Sequence, residues 1–109
     1  VPPHGVKVAI GTLISIEIYN FLRDHRVQFP HCEEAYPLCD ELPKAQELKS
    51  MFEKIGCPTR FSQIGVRRET MEEMLEKAYA VRDRYTVLTL VHRLNLTEKI
   101  KPVIMAKYF

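Results

Sequence analysis

The stretch from Val6 to Leu22 constrains this chain more than any other. Eleven of its seventeen residues are apolar, and Val6, Ile10, Leu13, Ile14, Glu17/Ile18 and Phe21 recur at the three-to-four spacing of one helix face. Val8, Ala9, Ile16 and Tyr19 fall on its other sides, so the helix is apolar around most of its circumference and is expected inside a domain. Gly11 in its interior costs about 1 kcal/mol against Ala, and the expected return is close approach of another backbone. A membrane span needs ~20 mostly apolar residues. This stretch is shorter and is interrupted by Lys7, Thr12, Ser15, Glu17 and Asn20, so no span is expected. A secretory signal would place basic residues before the apolar run and a small-residue cleavage site after it, whereas Phe21-Leu22-Arg23-Asp24 follow here.

Composition narrows the function classes. The 109 residues suit one domain, and Lys plus Arg at 16 against Asp plus Glu at 14 leave a net charge of +2. A nucleic-acid binder driven by phosphate contacts carries a stronger basic excess, so that class is set aside. The 46% apolar and 28% charged content describes a folded globular chain, not a disordered one. Three cysteines make no disulfide framework and point to a reduced, cytoplasmic setting. The opening Val1-Pro2-Pro3-His4-Gly5 enters the apolar helix at once, without an initiator Met, and reads as the start of a piece of something longer.

Helical signals continue downstream. His25 to Asp40 holds Pro30 and Pro37 with no clear period and is expected as loop, with at most a turn near Cys32–Tyr36. Pro43 opens a second helix with Ala45, Leu48, Met51/Phe52 and Ile55 inward, and Gly56 stops it. A third starts near Arg68, with Met71, Met74/Leu75, Ala78 and Val81 inward and Glu69, Glu72 and Glu73 near its positive end. A fourth runs from Tyr85 to Leu94, and Asn95 breaks it. In the tail, Thr97 and Glu98 signal a start but Pro102 is awkward in a helix interior. Either a turn precedes a helix beginning at Pro102, or the last helix kinks there. No segment alternates as a strand does. The fold class is all-α, a bundle-like domain of four to five helices.

Few residues offer chemistry. His25, His31 and His92 lack partners at metal-ligand spacing, and Cys32, Cys39 and Cys57 lack any C-x-x-C pair, so a closed zinc site is not expected from them. The acidic pairs Glu33-Glu34 and Asp40-Glu41 suit a solvated face. Arg82-Asp83-Arg84-Tyr85-Thr86 suits a corner between helices, Asp83 capping the second. His4 differs by its place, because an imidazole at the start of a rigid helix is a well-oriented metal ligand. One donor cannot hold a metal alone, since catalytic sites use three.

Two strings carry a resemblance. His4-Gly5-Val6-Lys7-Val8-Ala9-Ile10-Gly11-Thr12-Leu13 is similar to the H-G-x-x-V-x-x-G segment of the iron-containing alcohol dehydrogenase and dehydroquinate synthase superfamily. It looks closest to the sn-glycerol-1-phosphate dehydrogenase-like branch. Arg82-Asp83-Arg84-Tyr85-Thr86-Val87-Leu88 resembles that branch's R-x-x-R-Y-T-I-L stretch, in the same order along the chain, and Arg68 to Ala80 resembles the segment before it. The two motifs cover the ends of a match that spans nearly the whole chain. One departure is Val6, where many relatives carry Glu.

The resemblance implies that residues 1–109 are the C-terminal, all-helical, metal-binding domain of a two-domain dehydrogenase. The missing N-terminal domain, with its Gly-rich loop, would bind NAD(P). A divalent metal (zinc, nickel or iron) would be held by an Asp and two His, of which His4 matches the last. The substrate implied is a small polyol or polyol phosphate, and a homo-oligomer is compatible with the family. The piece alone is expected to be inactive. Two readings of other classes stand beside it, a helical interaction module without catalysis and a Cys/His zinc module.

Overall fold

A computed structural model of the chain describes residues 3–81 and 87–109, with side chains described for 5–77 and 87–109. Every regular element among them is helical: α1 (Pro3–Asp24), α2 (Cys32–Glu41), α3 (Ala45–Lys54), a 3-10 turn (Phe61–Ile64), α4 (Arg68–Val81), α5 (Val87–Arg93) and α6 (Thr97–Tyr108). The fold is all-α, with six α-helices among the described residues where the sequence suggested four or five.

The hub is α1. Its Val6, Ile10, Leu13, Ile14, Ile18 and Leu22 are buried, close to the row that the spacing picks out. Helices α2, α3, α5 and α6 and the 3-10 turn all pack on it, while α4 packs on α5 and α6. Phe61, Met71, Leu75, Leu90, Val91, Ile100, Ile104 and Tyr108 complete one continuous core. The helix lies inside the domain along this row, but its other side is open, where Val8 is 54% exposed. Gly5–Asp24 is also long and apolar enough to cross a membrane by length and composition, although 33% of that window is buried here, and its inward row is the core of the helical domain.

Three helices stop by the same device. Where α1, α3 and α5 end, Arg26, Gly56 and Asn95 take left-handed φ values of 51°, 79° and 58°. The next amide then reaches back to an orphan carbonyl: Val27 N to Leu22 O at 2.9 Å, Cys57 N to Phe52 O at 2.9 Å and Leu96 N to Val91 O at 3.0 Å. This is the six-to-one closure that satisfies a helix C-terminus. The glycine and the asparagine were legible as stop signals, and the arginine was not.

The structure corrects the sequence in four places. The segment expected as loop contains α2, which tolerates Pro37 because the ring sits on the exposed side, where the carbonyl left without an N–H donor meets water. Tertiary contacts hold it: Cys32 is buried, Phe29 meets Tyr36 edge-on at 5.4 Å, and the Tyr36 hydroxyl reaches the carbonyls of Val27 and, at 3.2 Å, Leu22. Pro102 likewise lies exposed inside an unbroken α6. In α3, which starts at Ala45 and not at Pro43, the expected inward residues Met51 and Ile55 are exposed, whereas Lys49 is buried. In α4, Met71 and Leu75 face the core but Met74 does not. The expected inward side chains of Ala78 and Val81 lie outside the described ones, as do residues 82–86.

Two glycines give opposite expectations for one substitution. A Cβ at Gly11 meets nothing within 4 Å and the backbone there is helical, so Gly11→Ala should stabilise this chain by about 0.5–1 kcal/mol. Gly56 also has open space, but its φ is +79°, so Gly56→Ala should destabilise by about 1 kcal/mol. Urea unfolding of the two variants measures both. Equal signs would contradict the assignment of either backbone.

Candidate functional site

The chemistry implied for this chain begins at the first turn of α1. The helix includes His4 from its start at Pro3, and Val6 and Ile10, buried at once behind it, fix its course. The His4 side chain lies outside the described ones, so its role is not tested by geometry. Among the described residues, no three His, Cys, Asp or Glu side chains gather as a metal-binding group.

The other histidines have local roles. His25 stacks on Phe21 with ring centroids 4.1 Å apart, and its Nδ1 lies 2.9 Å from the Phe21 carbonyl. Exposed His31 sits 3.8 Å from Glu34. His92 is on the solvent side of α5. All three cysteines are free thiols, and burial pushes the Cys39 thiol up despite the opposing pull of Arg23, which disfavours the nucleophilic thiolate. Of the acidic pairs, Asp40 is engaged by Arg23 at 2.7 Å and Glu34 by His31.

A polar cluster that the sequence did not suggest joins α1, α3 and α6. Tyr108, fully buried, donates its hydroxyl to Glu17 Oε1 at 3.0 Å, and Lys107 Nζ bonds Glu17 Oε2 at 3.1 Å. Lys49, 7% exposed, donates to the Lys107 carbonyl at 2.9 Å and lies 5.3 Å from the Tyr108 ring centroid. Next to it, a cleft of about 330 Å³ between α1 and the α2–α3 connection carries Glu17, Arg23, Asp24, Asp40 and Lys107. Its charges largely neutralise one another across the Arg23–Asp40 and Lys107–Glu17 pairs. That pattern suits holding helices together better than binding an ion. A carboxylate within an apolar helix run was the available signal, since such a group must find a partner when it is covered.

Burial, reinforced by the Glu17 carboxylate, pushes the Tyr108 phenol far above its ordinary value of 10.0, and burial raises Tyr36 in the same direction. A phenol that holds its proton more tightly folded than unfolded contributes stability that is complete below about pH 10 and lost above it, at up to about 1.4 kcal/mol per pH unit. Lys49 acts oppositely in a lower window: burial lowers its pKa below 10.5, so its burden eases as pH rises toward that value. Urea unfolding between pH 9 and 12 should show stability falling above pH 10, with Tyr108→Phe shallower than the parent sequence. An identical slope in both would remove Tyr108 as the source.

No family model and no solved structure matches the chain. It is similar to the glycerol-1-phosphate dehydrogenase (NAD(P)+) of Bacillus licheniformis, with 30% identity over 94 residues, or 85% of this chain and 23% of that protein. The enzyme of the same name from Bacillus velezensis is 32% identical over 97 residues, covering 84% and 25% of the two chains. That from Staphylothermus marinus is 30% identical over 86 residues, covering 78% and 18%. The chain thus spans about a quarter or less of the length of these curated relatives.

Proposed function

We propose that this chain is the C-terminal helical part of a metal-dependent, NAD(P)-linked dehydrogenase acting on glycerol 1-phosphate and dihydroxyacetone phosphate, in the cytoplasm. The observation that carries it is His4-Gly5 at the first turn of α1, in a chain similar along most of its length to enzymes of that name. The reaction is reversible hydride transfer between the nicotinamide and the carbonyl carbon of the ketone. The dinucleotide is held by another domain, because Gly5, Gly11, Gly56 and Gly65 form no phosphate-binding pattern.

In this assignment His4 is the one metal donor the chain brings, the remaining Asp and His coming from elsewhere in the polypeptide. Neutral imidazole suits zinc, nickel and iron, and the first turn of a helix pinned by Val6 and Ile10 is a firm mount for it. A divalent metal there supplies Lewis acidity, which favours negative charge on the substrate oxygen as hydride moves. The contribution of the chain is to orient the ligand through α1 and to keep that helix fixed through its core. Val6, buried at 4% exposure where many relatives carry Glu, spends that position on packing.

In the complete enzyme, His4→Ala should remove the metal and lower turnover by roughly several hundred-fold or more, at about 1.4 kcal/mol per tenfold, while NAD(P) affinity stays near that of the parent. Metal analysis and steady-state kinetics on the purified variant check it. Full activity with stoichiometric metal would end the assignment of His4. An interaction module without catalysis is favoured by one observation, the exposed outer side of α1. It predicts a complete polypeptide with no dehydrogenase activity and no bound metal.

A further inference from the structure

Helix α1 is apolar on more sides than this structure covers. Its outer strip, with Leu42 from beyond α2, walls an open groove of about 780 Å³ around Val8, Gly11, Thr12 and Ser15. Val8 and Leu42 are each more than half exposed. The hydroxyls in the groove look inward on their own helix: Thr12 Oγ1 donates to the Val8 carbonyl at 2.9 Å and Ser15 Oγ to the Gly11 carbonyl at 3.0 Å. Thr12 and Ser15 therefore bring no free hydroxyl hydrogen to the groove, whose apolar wall of Val8, Ile16 and Leu42 is interrupted by Asn20 and Cys39. Gly11 at its centre has nothing within 4 Å of where a Cβ would stand. A helix-interior glycine weakens the helix, and close backbone approach is what normally offsets that. No described residue makes that approach.

We infer that this groove seats a further amphipathic helix of the same, longer polypeptide, crossing α1 closely at Gly11. The occupant follows from size. Under the dehydrogenase assignment, on which this depends, the chain is about a quarter of the polypeptide, and the remainder supplies the helix. A tethered helix loses little translational freedom on docking, so a small contact suffices for it.

The test compares the 109-residue chain with the complete polypeptide encoded by its reading frame. Thr12→Cys is introduced in both, and maleimide labelling of the introduced thiol is followed by peptide mass spectrometry. The expected result is ready labelling in the short chain and at least about tenfold slower labelling in the complete one. Gly11→Leu should leave the melting temperature of the short chain unchanged or higher and lower that of the complete polypeptide by several degrees. Equal labelling in both, or a Gly11→Leu effect that is the same in both, overturns the inference. So does a complete polypeptide that ends with these residues, or a dimer of the short chain that Gly11→Leu dissolves. Neither readout uses turnover. A complete polypeptide that protects the introduced thiol but lacks dehydrogenase activity keeps the groove and refutes the function, and an active enzyme in which that thiol labels freely does the reverse.

Discussion

The fold depends on how the end of α6 is fastened to the middle of α1. A helix C-terminus presents carbonyls without helical partners. Here Arg60 Nη1 donates to the Ala106 carbonyl at 3.1 Å, Lys49 to that of Lys107, and the Ser62 amide to that of Phe109 at 3.0 Å. The cations stand where the helix macrodipole is negative. Beside them, the Tyr108 hydroxyl and the Lys107 ammonium meet the two oxygens of Glu17. Glu17 is thus a covered carboxylate with two donors, and Lys49 a covered ammonium with an acceptor and a ring. Removing either partner of such a pair leaves an uncompensated charge, which is why the set resists piecemeal change. It joins α1, α3, the 3-10 turn and α6, elements from both ends of the chain.

That fastening explains what the sequence disclosed and what it hid. The inward row of α1, the helix from Arg68 and the stops at Gly56 and Asn95 were legible because each rests on local pattern: a period, glutamates near the helix start, a residue tolerant of positive φ. Helix α6 was half legible. Ile100, Ile104 and Tyr108 recur at four-residue spacing and are all buried, but Pro102 between them argued for a break. The proline is tolerated because it falls on the exposed side of the helix. Helix α2 was hidden for a stronger reason. Its isolated propensity is poor, and it is held by Tyr36 reaching back to the carbonyl of Leu22 at the end of α1. Lys49 shows the same limit: a lysine reads as surface until a distant carbonyl and ring are brought to it.

The candidate site was legible only in part, and by a different route. Nothing in the charge or spacing of His4 distinguishes it from an N-terminal accident, and the likeness of its surrounding string to a known motif singles it out. Among the described residues no three potential donors gather as a metal-binding group. Catalytic metal sites collect ligands from distant segments, so under the proposed function one ligand and the helix that carries it are all this chain would contribute. What this chain shows of the proposed site is therefore the packing of α1 behind its first turn and not a cavity.

The two sides of that helix differ. The inner side of α1 carries the row from Val6 to Leu22, packed by α3, α5 and α6 and secured near its middle by Glu17. The outer side carries Val8, Gly11, Thr12 and Ser15, open in this structure. Ser15 and Thr12 bond back to their own helix, a habit that slightly weakens and bends it, and Gly11 weakens it further. All three lie between the His4 turn and the Glu17 anchor. The outer side of this segment thus lowers its intrinsic helix strength, while Val6, Ile10, Leu13 and Ile14 on its inner side hold it in the core. Under the proposed function, covering that strip would stiffen the half of α1 that carries His4 and so couple assembly of a longer polypeptide to the alignment of the proposed ligand.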